Sequence, residues 1–168
     1  MKMVSYRKEE IDMKTLFKII VVSALLAVVA EARADTWLNV HLLSKHVNAD
    51  QPYDYNENNY GLGIIHEWQP SLDVRVGAFK NSFDHTSAYA GIGWHTSYNK
   101  PVSMILQAGM STGYKDTPVG GESALIGYVL PTVSFNTKRV RVEVGYIPKA
   151  VGGDIKSDVI TVSIPVRF

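Results

Sequence analysis

The residues of this chain that could do chemistry are a histidine and, further along the chain, an asparagine followed directly by a serine. His41 carries an imidazole, which can take up or release a proton near neutral pH. Asn81 and Ser82 add an amide and a hydroxyl. A histidine beside a hydroxyl can act as a base–hydroxyl pair in acid–base chemistry. Taken singly, an inward histidine or an Asn-Ser turn also has a purely structural explanation. The choice between the two explanations therefore depends on the elements that position these residues.

Those elements are β-strands. The segment 159–168 reads V-I-T-V-S-I-P-V-R-F, with apolar residues at every second position from Ile160 to the aromatic Phe168. Successive side chains of a strand point to opposite faces, so this strand has one apolar and one polar face. That repeat is typical of a transmembrane barrel strand, and a half-buried strand of a soluble sandwich shares it.

Six further segments show such an alternation, and a seventh, 123–135, is apolar on both faces and interrupted by Pro131. A strand crosses a bilayer in about ten residues, and a barrel of about eight strands has an interior that side chains can just fill. We therefore predict an all-β fold, an eight-stranded antiparallel transmembrane β-barrel of the outer-membrane type. The predicted strands are 37–47, 59–68, 72–80, 86–97, 102–114, 123–135, 139–147 and 159–168.

The connections between these segments alternate in length. Short turns at 69–71, 98–101 and 136–138 alternate with connections that are longer or richer in Gly, Asp and Asn, at 48–58, 81–85, 115–122 and 148–157. Outer-membrane barrels have short periplasmic turns and longer extracellular loops. A soluble sandwich has no reason to sort its loops in this way, so the pattern favours the barrel.

The first 34 residues resemble a secretory signal peptide. Lys14 and Lys18 precede an apolar run over 19–30, and Ala32-Arg33-Ala34 is an A-x-A cleavage site. Residues 1–12 either form an extended n-region of this signal peptide or precede the start of translation, which would then be Met13. We expect a single domain over 35–168, exported through the periplasm to the bacterial outer membrane, with no amphipathic helix before its first strand.

The composition limits the possible functions. The chain has no cysteine, which excludes disulfides, thiolate metal sites and a cysteine nucleophile. Its formal charge is +1 and no stretch is basic enough to indicate nucleic-acid binding. No motif requires a metal or a cofactor. We expect a membrane-embedded monomer.

The polar faces of the predicted strands carry several charges, which would lie inside a narrow lumen. Buried charges are tolerated when they are paired and hydrogen-bonded, so we expect a plug of salt bridges rather than an open pore. The charged residues assigned to the interior are Asp73, Arg75, Arg139, Arg141, Glu143 and Arg167, and Lys45 is assigned to the same face of the first strand as His41.

Four further residues suggest a cavity in the outer half of the barrel. Gly91 and Gly93 face the lumen and leave space there. Pro131 and Pro148 fall near the outer ends of strands six and seven. Proline cannot donate a ladder hydrogen bond, so this pair of strands is predicted to separate and to open a lateral gap.

Short motifs in this order and spacing resemble the lipid A palmitoyltransferase family, PagP. Tyr55-Asn56-Glu57 follows His41 at the family's spacing, Phe79-Lys80-Asn81-Ser82-Phe83 resembles F-K-D-S-W, and Ala90-Gly91-Ile92-Gly93-Trp94 resembles A-G-Y-G-W. Leu130-Pro131 and Tyr146-Ile147-Pro148 match two proline sites. The resemblance implies transfer of palmitate from a phospholipid to lipid A by His41 and Ser82. It also implies an acyl pocket floored by Gly93 and entry gaps beside the prolines.

One departure from the family opens an alternative. Asn81 stands where the family has an acidic residue, and an amide cannot stabilise an imidazolium as a carboxylate does. Asn81 could still orient a histidine or stabilise an oxyanion, and Asp84 could replace the acid. The alternative function is a non-catalytic barrel that binds lipid or alters the cell surface. A lipid A deacylase is a more distant possibility.

Overall fold

The structure is a computed structural model that describes residues 36–47, 54–97, 100–122, 124–149 and 157–167. The predicted signal peptide 1–34, the residues 48–53 and 150–156 of two loops, and Phe168 lie outside this part of the chain. The described strands are β1 (Thr36–Val47), β2 (Gly61–Gln69), β3 (Leu72–Lys80), β4 (Thr86–His95), β5 (Val102–Thr112), β6 (Leu125–Asn136), β7 (Arg141–Ile147) and β8 (Asp158–Arg167).

These strands form one closed antiparallel barrel in chain order, in which β8 pairs with β1. The predicted fold is confirmed. Strand β3 has the predicted bounds, and the ends of the other strands differ from the prediction by at most two residues. Within the described segments, no helix has the length and apolarity needed to cross a membrane. We call one end of the barrel the short-turn end; it carries the connections 70–71, 96–101 and 137–140. The opposite end is called the long-loop end.

The outer surface of the barrel is an apolar belt. Trp68, Trp94 and Phe135 are exposed near the short-turn end, and Tyr60 is exposed at the long-loop end. An apolar band with aromatic residues at both margins is the surface that a barrel presents to lipid. The exposed aliphatic residues between these margins include Leu62, Ile92, Leu106, Met110, Val129 and Val133.

A buried charge cluster fills the interior at the short-turn end. The guanidinium of Arg75 donates to both carboxylate oxygens of Asp73, at 2.8 and 2.7 Å, and to Glu143 at 2.6 and 3.2 Å. His95 Nε2 lies 2.7 Å from Asp73. All four residues are buried. The predicted plug of ion pairs is present, and it closes this half of the lumen.

A second ion pair lies beside it. Arg141 pairs with Glu67, and its guanidinium stacks 3.7 Å from the centre of the Trp37 ring. Arg167 approaches the same ring at 5.4 Å, so it is also inside the barrel, as predicted. Arg139 is not: it lies exposed in the turn before β7, because that strand begins two residues later than the sequence pattern indicated.

Strand β1 contains a β-bulge that the sequence analysis missed. Its pairing with β8 shifts between His41 and Leu43, so the alternation of faces reverses at Leu42. Ser44, beyond the bulge, is buried, and Lys45 is exposed and pairs with Glu57 at 2.8 Å. The assignment of Lys45 to the lumen was therefore wrong.

Candidate functional site

The half of the barrel near the long-loop end is hollow. It contains a cavity of about 530 Å³, which lies within the usual range of small-ligand pockets, about 300–1,000 Å³. Much of its wall is aromatic or aliphatic, and polar groups interrupt that wall at a few points. The lining includes Asn39, His41, Ser44, His46, Phe79, Ser82, Tyr89, Gln107, Ile126, Tyr128, Leu130, Thr132 and Glu143.

His41 is held on the cavity wall by its neighbours. Its Nε2 lies 2.9 Å from the Tyr89 hydroxyl and 3.2 Å from the Asn39 amide nitrogen. The Tyr89 and Phe79 rings pack against the imidazole at centroid distances of 5.2 and 5.3 Å. The Tyr89 hydroxyl can accept from a protonated Nε2, which leaves the lone pair on Nδ1, or donate to an unprotonated Nε2. Tyr89 is thus placed to fix the orientation of His41.

Glycines on two strands allow Tyr89 to reach His41 from β4. Tyr89 is paired with Gly77, Gly77 with Gly63, and Gly63 with Asn39, so these residues form one row across four strands. A Cβ at Gly77 would lie 2.8 Å from the Tyr89 ring, and one at Gly63 would collide with its hydroxyl. The phenol therefore lies along the barrel wall in space that only glycine leaves free.

Tyr128 likewise lies over glycines of the neighbouring strands, which explains why position 91 is a glycine. Tyr128 is paired with Gly109, and Gly109 with Gly91. A Cβ at Gly91 would lie 2.6 Å from the Tyr128 hydroxyl. Tyr128 thus occupies the space expected to be empty above Gly91, which does not line the cavity.

Gly93 lies lower, against the charge cluster. A Cβ there would collide with the Asp73 carboxylate and lie 2.9 Å from Arg75 Nε. Gly93 makes room for an ion pair and is not part of the cavity lining. The geometry does not support its expected role as the floor of an acyl pocket. The cavity lining nearest the charge cluster includes Glu143, which belongs to that cluster, together with Gln107 and Thr132.

Ser82 lines the cavity at its mouth, opposite Ser44, which faces inward because of the bulge in β1. Its hydroxyl lies 3.2 Å from that of Ser44. The two side chains form a hydroxyl pair at the rim, on the same cavity wall as His41. No direct hydrogen bond joins His41 to Ser82, although the structure describes both residues fully.

Asn81 is fully buried and organises the loop between β3 and β4. Its Nδ2 donates to Ser87 Oγ at 3.0 Å and to the Gly113 carbonyl at 2.8 Å. Its Oδ1 accepts from the backbone N–H groups of Phe83 and His85. These contacts occupy the amide, and Asn81 does not line the cavity. The structure therefore indicates a scaffolding role for it in the loop.

Replacing Asn81 with aspartate is expected to destabilise this loop rather than to supply a catalytic acid. A carboxylate cannot donate to the Gly113 carbonyl, and it would face that oxygen without a proton between them. Each buried polar group left unpaired costs about 1–3 kcal/mol. Chemical unfolding of Asn81→Asp in detergent should show a lower midpoint than the wild-type protein. An unchanged midpoint would contradict the scaffolding role.

The neighbouring acid cannot take that place. Asp84 is exposed, and its carboxylate accepts from Lys80 Nζ at 2.8 Å. The hydrogen bond and charge of Lys80 lower the pKa of Asp84, which keeps it ionised. It is not part of the cavity lining.

The mouth of the cavity is partly covered by the segment 54–60. Tyr55 stacks on His46 with ring centroids 3.9 Å apart, and the backbone of Asn56 donates to the Ser82 carbonyl at 2.9 Å. Glu57 accepts from the Ser44 backbone N–H at 3.0 Å through its carbonyl. The Tyr55-Asn56-Glu57 motif thus replaces β2 as the neighbour of the upper part of β1.

Aromatic rings continue this cover across the mouth. Phe83 lies 5.8 Å from Tyr55 and 6.3 Å from Tyr114, measured between ring centroids. Burial raises the pKa of Tyr114 to about 12, so its phenol stays neutral at physiological pH. The rim therefore presents neutral aromatic surface to whatever enters.

The barrel wall opens between β6 and β7. Their pairing runs from Asn136–Arg141 to Thr132–Gly145 and stops there, whereas β5 pairs with β6 along its whole length up to Leu125. Among the described residues, none of 126–131 is paired with β7, because the ladder ends at Thr132. The ladder therefore ends where the lateral gap was predicted, and this unpaired part of β6 adjoins the cavity lined by 126–130.

Both prolines lie where the missing ladder bonds would be. Asn136 N donates to Pro101 at the start of β5, and Thr137 N donates to Val140 on the β7 side. Backbone N–H groups alternate along a strand, so those of odd-numbered β6 residues face β7. Pro131 faces β7 without an N–H, and Pro148 faces β6 without one. Two successive rungs therefore each lack a donor, which explains why the ladder ends.

The sequence analysis missed Tyr89, Ser44 and His46 as cavity residues. Ser44 and His46 face inward only because of the bulge, and the apolar doublet Leu42-Leu43 was the available signal, since it breaks the alternation of β1. The alternation that directs Gly91 and Gly93 into the lumen also directs Tyr89 there, but its contact with His41 depends on the register of four strands.

Comparisons with known proteins agree on the fold. No protein-family model and no curated protein matches the sequence. A de novo designed transmembrane β-barrel aligns with a TM-score of 0.54 and 12% identity, covering 81% of this chain and 98% of the design. The N-terminal barrel domain of Pseudomonas aeruginosa OprF aligns with a TM-score of 0.50 and 8% identity, covering 80% of this chain and 98% of that domain.

These similarities establish the architecture and nothing finer. Identities this low carry no information about ligands or reactions, and the resemblance to the palmitoyltransferase family remains a prediction. The chain has the fold of an eight-stranded outer-membrane β-barrel.

Proposed function

We propose that this protein is an outer-membrane acyltransferase that moves a palmitoyl chain from a phospholipid to lipid A. The observation that carries the proposal is a cavity lined by His41 and Ser82 that adjoins a lateral gap in the barrel wall. The exposed apolar belt supports a location in the outer membrane, with the short-turn end toward the periplasm.

The gap supplies a route for the acyl chain of the donor. A chain that slides between β6 and β7 reaches a wall formed by Ile126, Tyr128 and Leu130 without leaving apolar surroundings. The salt-bridge plug stops it from passing deeper, because Arg75 and Glu143 are buried and paired across the lumen. The cavity therefore holds a chain whose ester group stays near the gap and the mouth.

His41 then serves as the general base. It takes the proton of the acceptor hydroxyl, whose oxygen attacks the ester carbonyl of the donor. The bond from that carbonyl to the glycerol oxygen breaks, and the proton passes from His41 to this leaving oxygen, which yields acylated lipid A and a lysophospholipid. Ser82 supplies a polar hydroxyl at the rim that steadies the reacting ester.

The test is the mass of lipid A in a bacterium that expresses the chain in its outer membrane. We expect lipid A heavier by one palmitoyl group, together with lysophospholipid. A correctly inserted protein that leaves both lipids unchanged would defeat the enzymatic proposal.

The second candidate is a non-catalytic barrel that binds a lipid chain or alters the cell surface. It is favoured by Asn81, whose four hydrogen bonds hold a loop at the position where the resembling family has its acid. Phospholipid that co-purifies with the protein in the absence of any modified lipid A would support this candidate over the first.

A further inference from the structure

The free edge of β6 carries a backbone donor that faces the gap. Val129 has an odd number and therefore points its N–H toward β7, where the residue opposite is Pro148. In the described part of the chain no hydrogen bond links Val129 to that side. The backbone N–H groups of its neighbours Tyr128 and Leu130 point toward β5 and belong to the intact β5–β6 ladder.

This donor lies between the lipid-facing surface and the cavity. Val129 is 50% exposed and belongs to the apolar belt, which also includes Val133 and Leu106. Val129 also belongs to the cavity lining. An unsatisfied backbone N–H in a lipid environment is costly, so an acceptor supplied by the lipid is favoured.

We propose that the Val129 N–H binds an acyl-ester carbonyl of a glycerophospholipid whose chain occupies the cavity. An ester carbonyl lies at the head of each acyl chain, so a chain that enters through the gap brings this acceptor to the edge of β6. The site deepens the proposed function, since it names what positions the donor ester, but it requires only binding and no transfer.

The wild-type protein provides the first test. Its affinity for dipalmitoyl phosphatidylethanolamine in detergent is compared with that for the dihexadecyl diether analogue, which keeps the phosphate and the chains but lacks both carbonyls. Loss of a single hydrogen bond predicts about three- to tenfold weaker binding of the diether. Equal affinity for the two lipids would overturn the proposal.

A pair of variants isolates the donor. Val129→Pro removes the N–H at a position where no ladder bond is lost, and its neighbour Tyr128 is already extended, as a residue before proline must be. Val129→Ala loses the side chain and keeps the N–H. Val129→Pro should weaken diester binding about three- to tenfold, to the level of the diether, while Val129→Ala should not.

The outcomes separate this inference from the proposed function. Equal diester binding by the two variants, or a similar loss of diether binding by Val129→Pro, would overturn the carbonyl contact. Diester binding that depends on the Val129 N–H, in a protein that leaves lipid A unmodified, would support the contact and count against the acyltransferase.

Discussion

Replacing Arg75 with methionine is expected to cost the barrel about 3–5 kcal/mol of stability. Arg75 is fully buried and is the cation between Asp73 and Glu143, with ion-pair distances of 2.7 and 2.6 Å. Its removal leaves Asp73 with His95 as its one remaining ion-pair partner among the described residues, and it leaves Glu143 as a buried carboxylate without its arginine. Asp73, which is fully buried and does not line the cavity, then keeps a charge that water cannot reach.

The measurement is the unfolding midpoint in urea after refolding into lipid vesicles. Arg139→Met is a matched control, because Arg139 is exposed in the turn before β7 and its replacement should change stability by less than about 0.5 kcal/mol. Adding Asp73→Asn and Glu143→Gln to Arg75→Met should recover part of the loss. Equal midpoints for the two single variants would contradict the role of the charge cluster.

Replacing His41 with alanine is expected to lower acyl transfer to lipid A by about 10²–10⁴-fold, the usual contribution of a general base. The barrel itself should persist, since His41 lines the cavity and is not part of the salt-bridge plug. Tyr89→Phe should reduce the rate less, by about tenfold, because it removes one hydrogen bond that positions the imidazole.

The rates are measured with outer-membrane preparations from cells that express each variant, normalised to the amount of folded protein. His66→Ala is the control: His66 lies on the outer face of β2, where it contacts Thr36, and it does not line the cavity. Wild-type activity in His41→Ala would show that some other group accepts the proton.

The fold could be predicted because its determinants are local. Alternation with a period of two marks each strand and its two faces, and it is visible at Arg75 or Ile92 without knowledge of any partner strand. The interrupted ladder beside Pro131 and Pro148 could also be predicted, because the loss of a ladder donor is a property of the residue itself. What they required in addition was only that β6 and β7 be neighbours.

The details of the site depend on register and on loop geometry. Gly91 and Gly93 were expected to leave a cavity, but Tyr128 and Asp73 reach over from other strands and fill the space. Asn81 could be placed in a motif, yet only the positions of Ser87 and Gly113 show that its amide is used within the loop. Such contacts join strands that the sequence alone does not align.

The most direct test of the hollow, laterally open barrel is photolabelling in the outer membrane. A phospholipid with a diazirine at the end of one acyl chain is incorporated, and the labelled residues of β5 and β6 are found by mass spectrometry. These strands carry the inward residues Gln107, Tyr128 and Thr132, and the outward residues Leu106 and Val133. We predict labels on the inward set as well as on the outward set. Labelling confined to the outward residues would contradict the account, because no acyl chain would then enter the barrel.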